Sequence, residues 1–204
     1  MATGVILAGG PGTRMPGDKA FMEIAGRRVI DIQLELLEGA FEQLLVIGNR
    51  ERMERLSAFE REGVRVLEET VRGKGPLGGI ASGLELSDSE ENFILACDMP
   101  FIRREAVLYV MERLAGYQVA VPDTAKGLEP LHAAYTRDCL EAALRQIEEG
   151  NLKVTDFYEK VAVKRVPWRE LLRFDPTGRL TLNINSPEDL RAAAGQFQAG
   201  KSLR

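Results

Sequence analysis

VILAGGPGTRMPGDKA, Val5–Ala20, runs from four apolar residues straight into a glycine-rich loop that carries Arg14 and Lys19. An apolar run this short, bounded by glycine, reads as a buried strand rather than a helix. The loop matches neither common phosphate motif: GPGTRM lacks the third glycine of GxGxxG, and the span from Gly10 to Lys19 lacks the GxxxxGK[ST] spacing. Glycines at 9, 10 and 12 nevertheless let backbone come close to an anion, and Arg14 and Lys19 add a planar fork and a mobile point charge. The chemistry fits a phosphate chain; the alternative is a tight strand-to-helix turn with two solvated cations.

Working outward, similar runs recur at Leu44–Gly48, Val64–Leu67, Phe93–Cys97 and Gln118–Val121. Segments with three- and four-residue apolar steps separate them, at Val29–Glu38, Glu51–Glu62, Leu77–Leu86 and Arg103–Leu114. Parallel neighbours need crossover connections, usually helical, so this alternation predicts an α/β fold: a doubly wound, mainly parallel sheet with helices on both faces. The second half is less regular. It offers a strand at Leu131–Tyr135, helices at Arg137–Glu149 and Val154–Lys160, a strand at Val161–Val166, and an extended stretch Leu180–Asn185 leading into a helix from Pro187. With 204 residues and no linker-like tract, residues 1–204 are expected to form a single domain, with 196–204 as a frayed tail.

Composition narrows the function classes. A net charge of −4 gives no broad electrostatic reason to bind nucleic acid or anionic membrane, so phosphate binding has to be local. The apolar runs fall far short of the ~20 residues of a membrane helix, and no signal segment is apparent. Cys97 and Cys139 lack metal-type spacing and suggest reduced thiols in the cytoplasm.

Ligands of open α/β sheets bind beyond the carboxyl ends of the strands, which directs attention to Gly9–Lys19, Glu68–Gly79 and Asp98–Phe101. In ILACDMPF, Asp98 follows an apolar strand and precedes Pro100, placed to hold Mg²⁺ together with water and phosphate oxygens or, alternatively, to cap the next helix. Cys97 reads as a small buried filler. VLEETVRGKGPLGGIASGL brings Gly75, Gly78 and Gly79 to a helix start, for close approach to a base or ribose or for helix packing. In TLNINSPEDL, extended alternation would put Thr181, Asn183 and Asn185 on one face, the amides about 6.6 Å apart; SPED is a plain helix-start signal. His132 reads as structural or as a substrate wall rather than as an acid or base.

Five ordered motifs, VILAGGPGTRMPGDKA, GPLGGIASGL, CDMPF, EPLHAAY and NINSPEDL, resemble the molybdenum cofactor guanylyltransferases, within the nucleotide-diphospho-sugar-transferase-like nucleotidyltransferases. The resemblance covers nearly the whole chain and implies a Rossmann-like nucleotidyltransferase fold. It also implies Mg²⁺ as cofactor and transfer of GMP from GTP to Mo-molybdopterin, with release of pyrophosphate.

By this resemblance Leu7, Ala8 and Gly9 contact the nucleotide, Lys19 its phosphates, and Asn49 and Glu69 the guanosine; Gly10, Gly75, Gly78 and Arg14 join the expected nucleotide site on the loop readings above. Asp98 holds the metal, and Asn183 and Asn185 face the second substrate. Molybdenum-insertion proteins and molybdoenzyme chaperones are the implied partners. The chain departs from the family pattern at Pro16, commonly glycine, and at Glu69, commonly aspartate. Competing readings are a cytidylyl- or other nucleotidyltransferase acting on a related phosphorylated acceptor, and a non-catalytic nucleotide-binding adaptor.

Overall fold

The structure, a computed structural model, describes residues 1–10 and 18–201, with side chains described through residue 195. Gly12, Arg14 and Pro16 lie outside the described residues. The strands are β1 (Ala2–Leu7), the hairpin β2 (Glu23–Ile24) and β3 (Arg27–Arg28), β4 (Gln43–Gly48), β5 (Val64–Glu68), β6 (Glu91–Ala96), β7 (Val119–Thr124), β8 (Gly127–Leu128), β9 (His132–Thr136) and β10 (Val163–Pro167). The helices are α1 (Val29–Leu37), α2 (Met53–Leu56), α3 (Gly75–Leu86), α4 (Arg104–Glu112), α5 (Cys139–Glu148), α6 (Trp168–Leu171) and α7 (Pro187–Lys201).

One mixed sheet has the order β10-β7-β9-β6-β1-β4-β5, with β8 pairing to β7. β1 pairs in parallel with both β4 and β6, β4 with β5, and β10 with β7, whereas β9 is antiparallel to β6 and β7. The mainly parallel sheet is therefore as expected, and β9 is the strand whose direction the apolar pattern does not reveal. All the parallel strands direct their carboxyl ends to one edge.

Consecutive residues of the central strands are buried because both faces are covered. Ile6, Val46, Phe93 and Leu95 pack with Ile30, Leu34 and Leu37 of α1 and Val107 and Val110 of α4. Their chain neighbours Val5, Leu45, Ile47 and Ile94 pack on the other face with Ile80 and Leu84 of α3 and Ala143 of α5. Truncating Phe93, which is fully buried, would cost about 3–5 kcal/mol.

Several local expectations are corrected. Glu51–Glu62 is not one helix but a 3₁₀ turn at Arg50–Arg52, the single-turn α2, and a 3₁₀ turn at Ser57–Phe59. Ser57 explains part of the break: its hydroxyl donates to the Glu54 carbonyl at 2.6 Å and competes with the helical ladder. The helix expected at Val154–Lys160 is present with those bounds and is of the 3₁₀ kind, whereas α7 continues to Lys201, past the expected start of a tail.

Leu180–Asn185 forms no strand. The Leu182 N–H turns back to the Arg179 carbonyl, and the Ile184 N–H donates to the Asp98 carbonyl at 3.0 Å, a single tie beyond the end of β6 where no strand edge exists to continue a ladder. The segment is thus anchored beside Asp98 rather than added to the sheet.

Candidate active site

The carboxyl ends of β1, β4, β5 and β6 enclose a cavity of about 280 Å³, whose wall includes Leu7, Ala8, Gly9, Gly10, Lys19, Glu69, Gly75, Asp98 and Asn183. Parallel register brings these remote residues together: Leu7 lies opposite Ile47 and Ala96, and Gly48 opposite Glu68. Each strand therefore releases its loop at the same height. The Ala8 N–H donates to the Ile47 carbonyl, the Cys97 N–H to the Leu7 carbonyl and the Glu69 N–H to the Gly48 carbonyl, which extends the pairing into the loops.

At the floor, the Lys19 ammonium donates to Asp98 Oδ2 at 3.0 Å and to Asn185 Oδ1 at 2.6 Å. The two charged side chains are only 19% and 15% exposed, so this pair is screened less than a surface salt bridge. Lys19 begins a 3₁₀ turn, Lys19–Phe21, whose N-cap Asp18 accepts the Ala20 N–H through Oδ1. Asn185 and Ser186 donate their backbone N–H groups to Asp189 Oδ2, so the SPED signal fixes the turn that presents Asn185.

Two oxygens remain open. Asp98 Oδ1 and Asn183 Oδ1 are buried and have no hydrogen-bond partner among the described residues. Unmade acceptors of this kind are costly unless a ligand satisfies them. Hard anionic and amide oxygens suit Mg²⁺, which commonly takes one or two carboxylates and completes its shell with phosphate and water. Among the described residues no cluster of three or more His, Cys, Asp or Glu side chains could hold a metal, so an ion here would depend on such mixed ligation.

Glu69 reaches across from β5. A Cβ placed on Gly9 would stand 3.1 Å from Glu69 Oε2, which shows how closely the carboxylate lies over the glycine loop. Burial raises the Glu69 pKa, opposed by the positive charges of Arg72 and Arg52. Gly75 has φ of +60°, which favours glycine, and it lines the cavity. Gly78 and Asn49 occupy different places. Gly78 packs against the Val71 carbonyl, which a Cβ would meet at 2.5 Å, and Asn49 ties the loop by donating Nδ2–H to the Gly9 carbonyl at 3.4 Å.

Three supporting side chains escape the sequence patterns. The buried Gln33 of α1 donates from Nε2 to the Ala96 and Met99 carbonyls at 2.8 and 2.9 Å, and so clasps the turn that carries Asp98. The buried Ser82 hydroxyl accepts the Thr70 and Val71 N–H groups at 3.1 and 3.0 Å, and so holds the chain just beyond Glu69. Arg52 lines the cavity and donates to both Ala8 and Gly10 carbonyls at 2.8 Å. A glutamine on an otherwise apolar helix face is the only sequence signal among the three; Ser82 and Arg52 look ordinary in the chain.

His132 lies fully buried on β9, edge-on to the Phe93 ring at a centroid distance of 5.1 Å. Neither ring nitrogen has a hydrogen-bond partner among the described residues, and burial lowers its pKa to about 4. It is a neutral part of the core rather than a cavity group.

The pattern described as the MobA-like NTP transferase domain matches residues 4–163. The chain is 36% identical over 189 residues to a protein of Pelotomaculum thermopropionicum named probable molybdenum cofactor guanylyltransferase, covering 93% of this chain and 90% of that one. It is 31% identical to the molybdenum cofactor guanylyltransferase of Desulfosudis oleivorans, over 98% of this chain and 97% of the relative. The fold superposes on molybdopterin-guanine dinucleotide biosynthesis protein A of Archaeoglobus fulgidus with a TM-score of 0.83 and 25% identity, covering 97% and 99% of the two chains. With a glycine loop, a lysine–aspartate floor and this extent of likeness on one sheet edge, the chain belongs to the MobA-like NTP transferase family.

Proposed function

We propose that the protein is a molybdenum cofactor guanylyltransferase, which transfers GMP from GTP to Mo-molybdopterin and releases pyrophosphate. The observation that carries the reading is the floor of the cavity, where Lys19 is paired to Asp98 beside the open oxygens of Asp98 and Asn183. The relatives bearing that name match nearly the full chain.

The acceptor in this reaction is already a phosphate anion. An oxygen of its terminal phosphate attacks the α-phosphorus of GTP, and the bond from that phosphorus to the bridging oxygen of pyrophosphate breaks. No proton has to be removed from the nucleophile, so alignment and charge stabilisation carry the catalysis. Lys19 supplies a fixed positive charge to the phosphates, and Gly9 and Gly10 let the backbone approach them. Arg14 is proposed to add a second cation, although it lies outside the described residues.

Asp98 and Asn183 are the residues that would hold Mg²⁺, which when bound neutralises phosphate charge. Asn185 accepts from Lys19, which supports a role for it in facing the acceptor. Glu69 favours guanine: its carboxylate can accept from the adjacent N1–H and 2-amino donors, a paired edge that cytosine lacks. Leu7, Ala8 and Gly75 complete the nucleotide wall. The cytoplasm suits this activity, as do proteins that load molybdenum and chaperones that receive the product; among the described residues no helix is long and apolar enough to cross a membrane.

The test is one assay: purified protein, Mg²⁺, each of GTP, CTP and ATP in turn, and molybdenum-loaded molybdopterin, with detection of dinucleotide and pyrophosphate. Product with GTP alone is expected. Product with CTP instead would reassign the base, and nucleotide binding without pyrophosphate release would indicate an adaptor.

A further inference from the structure

We propose that Arg52 is a positioning residue that braces both ends of the glycine loop and, through Asp18, sets the reach of Lys19 into the cavity. The proposal rests on the nucleotidyl-transfer reading and assigns the site a residue that no motif of the sequence marks. Arg52 closes the 3₁₀ turn Arg50–Arg52 directly after β4, and its backbone N–H donates to the Asn49 carbonyl at 3.0 Å, so the side chain leaves from a fixed point. That side chain is only 11% exposed.

One planar guanidinium meets acceptors on both flanks of the loop. Nη1 donates to the Ala8 and Gly10 carbonyls, and Nε donates to Asp18 Oδ2, each at 2.8 Å. Because a trans peptide points its C=O and N–H in opposite directions, drawing the Ala8 carbonyl towards Arg52 turns the Gly9 N–H away from it. The fork therefore sets the orientation of the first loop peptide as well as its position.

The second arm of the brace works through Asp18. Its Oδ2 takes the Arg52 Nε–H while its Oδ1 takes the Ala20 N–H, so the carboxylate is held from both sides at the start of the turn that carries Lys19. Lys19 then spans to Asp98 and Asn185. Arg55 comes only to 3.7 Å from Asp18 and is 59% exposed, so it cannot substitute for the missing fork. A lysine at position 52 would keep the charge, but its single nitrogen cannot reproduce donors at both Nε and Nη1.

Steady-state kinetics, nucleotide titration calorimetry and thermal unfolding of Arg52→Ala, Arg52→Lys, Asp18→Asn and the Arg52→Ala/Asp18→Asn double variant test the brace. The titration uses whichever of GTP, CTP and ATP the wild type binds most tightly, so a wrong base assignment overturns the guanine reading while the brace remains testable. Arg52→Ala and Arg52→Lys are each expected to lose about 10²-fold in kcat/KM, mainly in kcat, with folding retained. The double variant is expected to be no worse than Arg52→Ala, because both changes cut one chain of contacts. Full rescue by Arg52→Lys, or losses that multiply in the double variant, would overturn the brace. Should Arg52→Ala fail to fold, Arg52→Lys and Asp18→Asn decide alone, and near-wild-type kcat in both would overturn it.

Discussion

Cys97 and Asp98 are joined by one peptide bond, yet their surroundings give them opposite chemistry. Cys97 follows the last residue of β6 and lies buried in the cavity wall, where burial and the neighbouring Asp98 charge push its thiol up to about 12. Asp98 stands one residue further out, paired to Lys19 through one oxygen while the other is left open. His132, on the adjoining strand, repeats the first pattern: it is a reactive residue type made inert by an apolar setting. Reactivity in this molecule follows local surroundings more than residue type, and two neighbours in one cavity wall differ in it.

The sharpest way to break that comparison is to remove the open carboxylate. Asp98→Ala and Lys19→Ala are expected to lower turnover by about 10³-fold or more, with the circular dichroism spectrum and cooperative unfolding retained. A wild-type rate in either variant would remove the pair from the site. Next in size is Gln33→Leu, which leaves the buried Ala96 and Met99 carbonyls without their donor. It should cost about 1–3 kcal/mol in denaturant unfolding and lower kcat through the displaced Asp98 turn.

How much of this is legible in the sequence depends on the range of the interaction. Val5–Leu7, Leu44–Ile47 and Phe93–Ala96 read as buried strands because a sheet covered on both faces needs apolar residues at consecutive positions, and the loops after them then mark the edge where ligands bind. Asp98 and Lys19 are visible because each ends a local pattern. Ser82, Gln33 and Arg52 act across 11 to 66 residues of chain on backbone groups, and a backbone N–H or carbonyl leaves no mark in a sequence. The Leu180–Asn185 alternation misleads for a related reason: period two reports extended backbone, not the presence of a neighbouring strand to pair with.

A pH series sharpens the core side of the comparison. Folded His132 has a pKa near 4 against 6.5 ordinarily, so its contribution to stability is full above 6.5 and is lost as pH falls towards 4. Glu129, in the turn before β9, runs the other way. Burial pushes its carboxyl from 4.5 up to about 7, so its contribution is full below 4.5 and is lost as pH rises to 7. The advantage of Glu129→Gln over the wild type should therefore grow between pH 4.5 and 7, to at most about 3 kcal/mol. A difference that stays constant across that window would mean Glu129 is solvated.

The smallest expected effect separates the two neighbours most cleanly. Burial and the Asp98 charge push the Cys97 thiol up to about 12, which disfavours its thiolate at neutral pH, so neither a nucleophilic role nor ready alkylation is expected of it. Cys97→Ala should leave kcat essentially unchanged, and wild-type protein should resist iodoacetamide at pH 7.5 on a timescale that labels a free thiol completely. A covalent nucleotidyl-cysteine, or a kcat loss in Cys97→Ala comparable to that of Asp98→Ala, would put a nucleophile into a mechanism that otherwise needs none. The buried thiol would then share the chemistry of the carboxylate on the cavity floor.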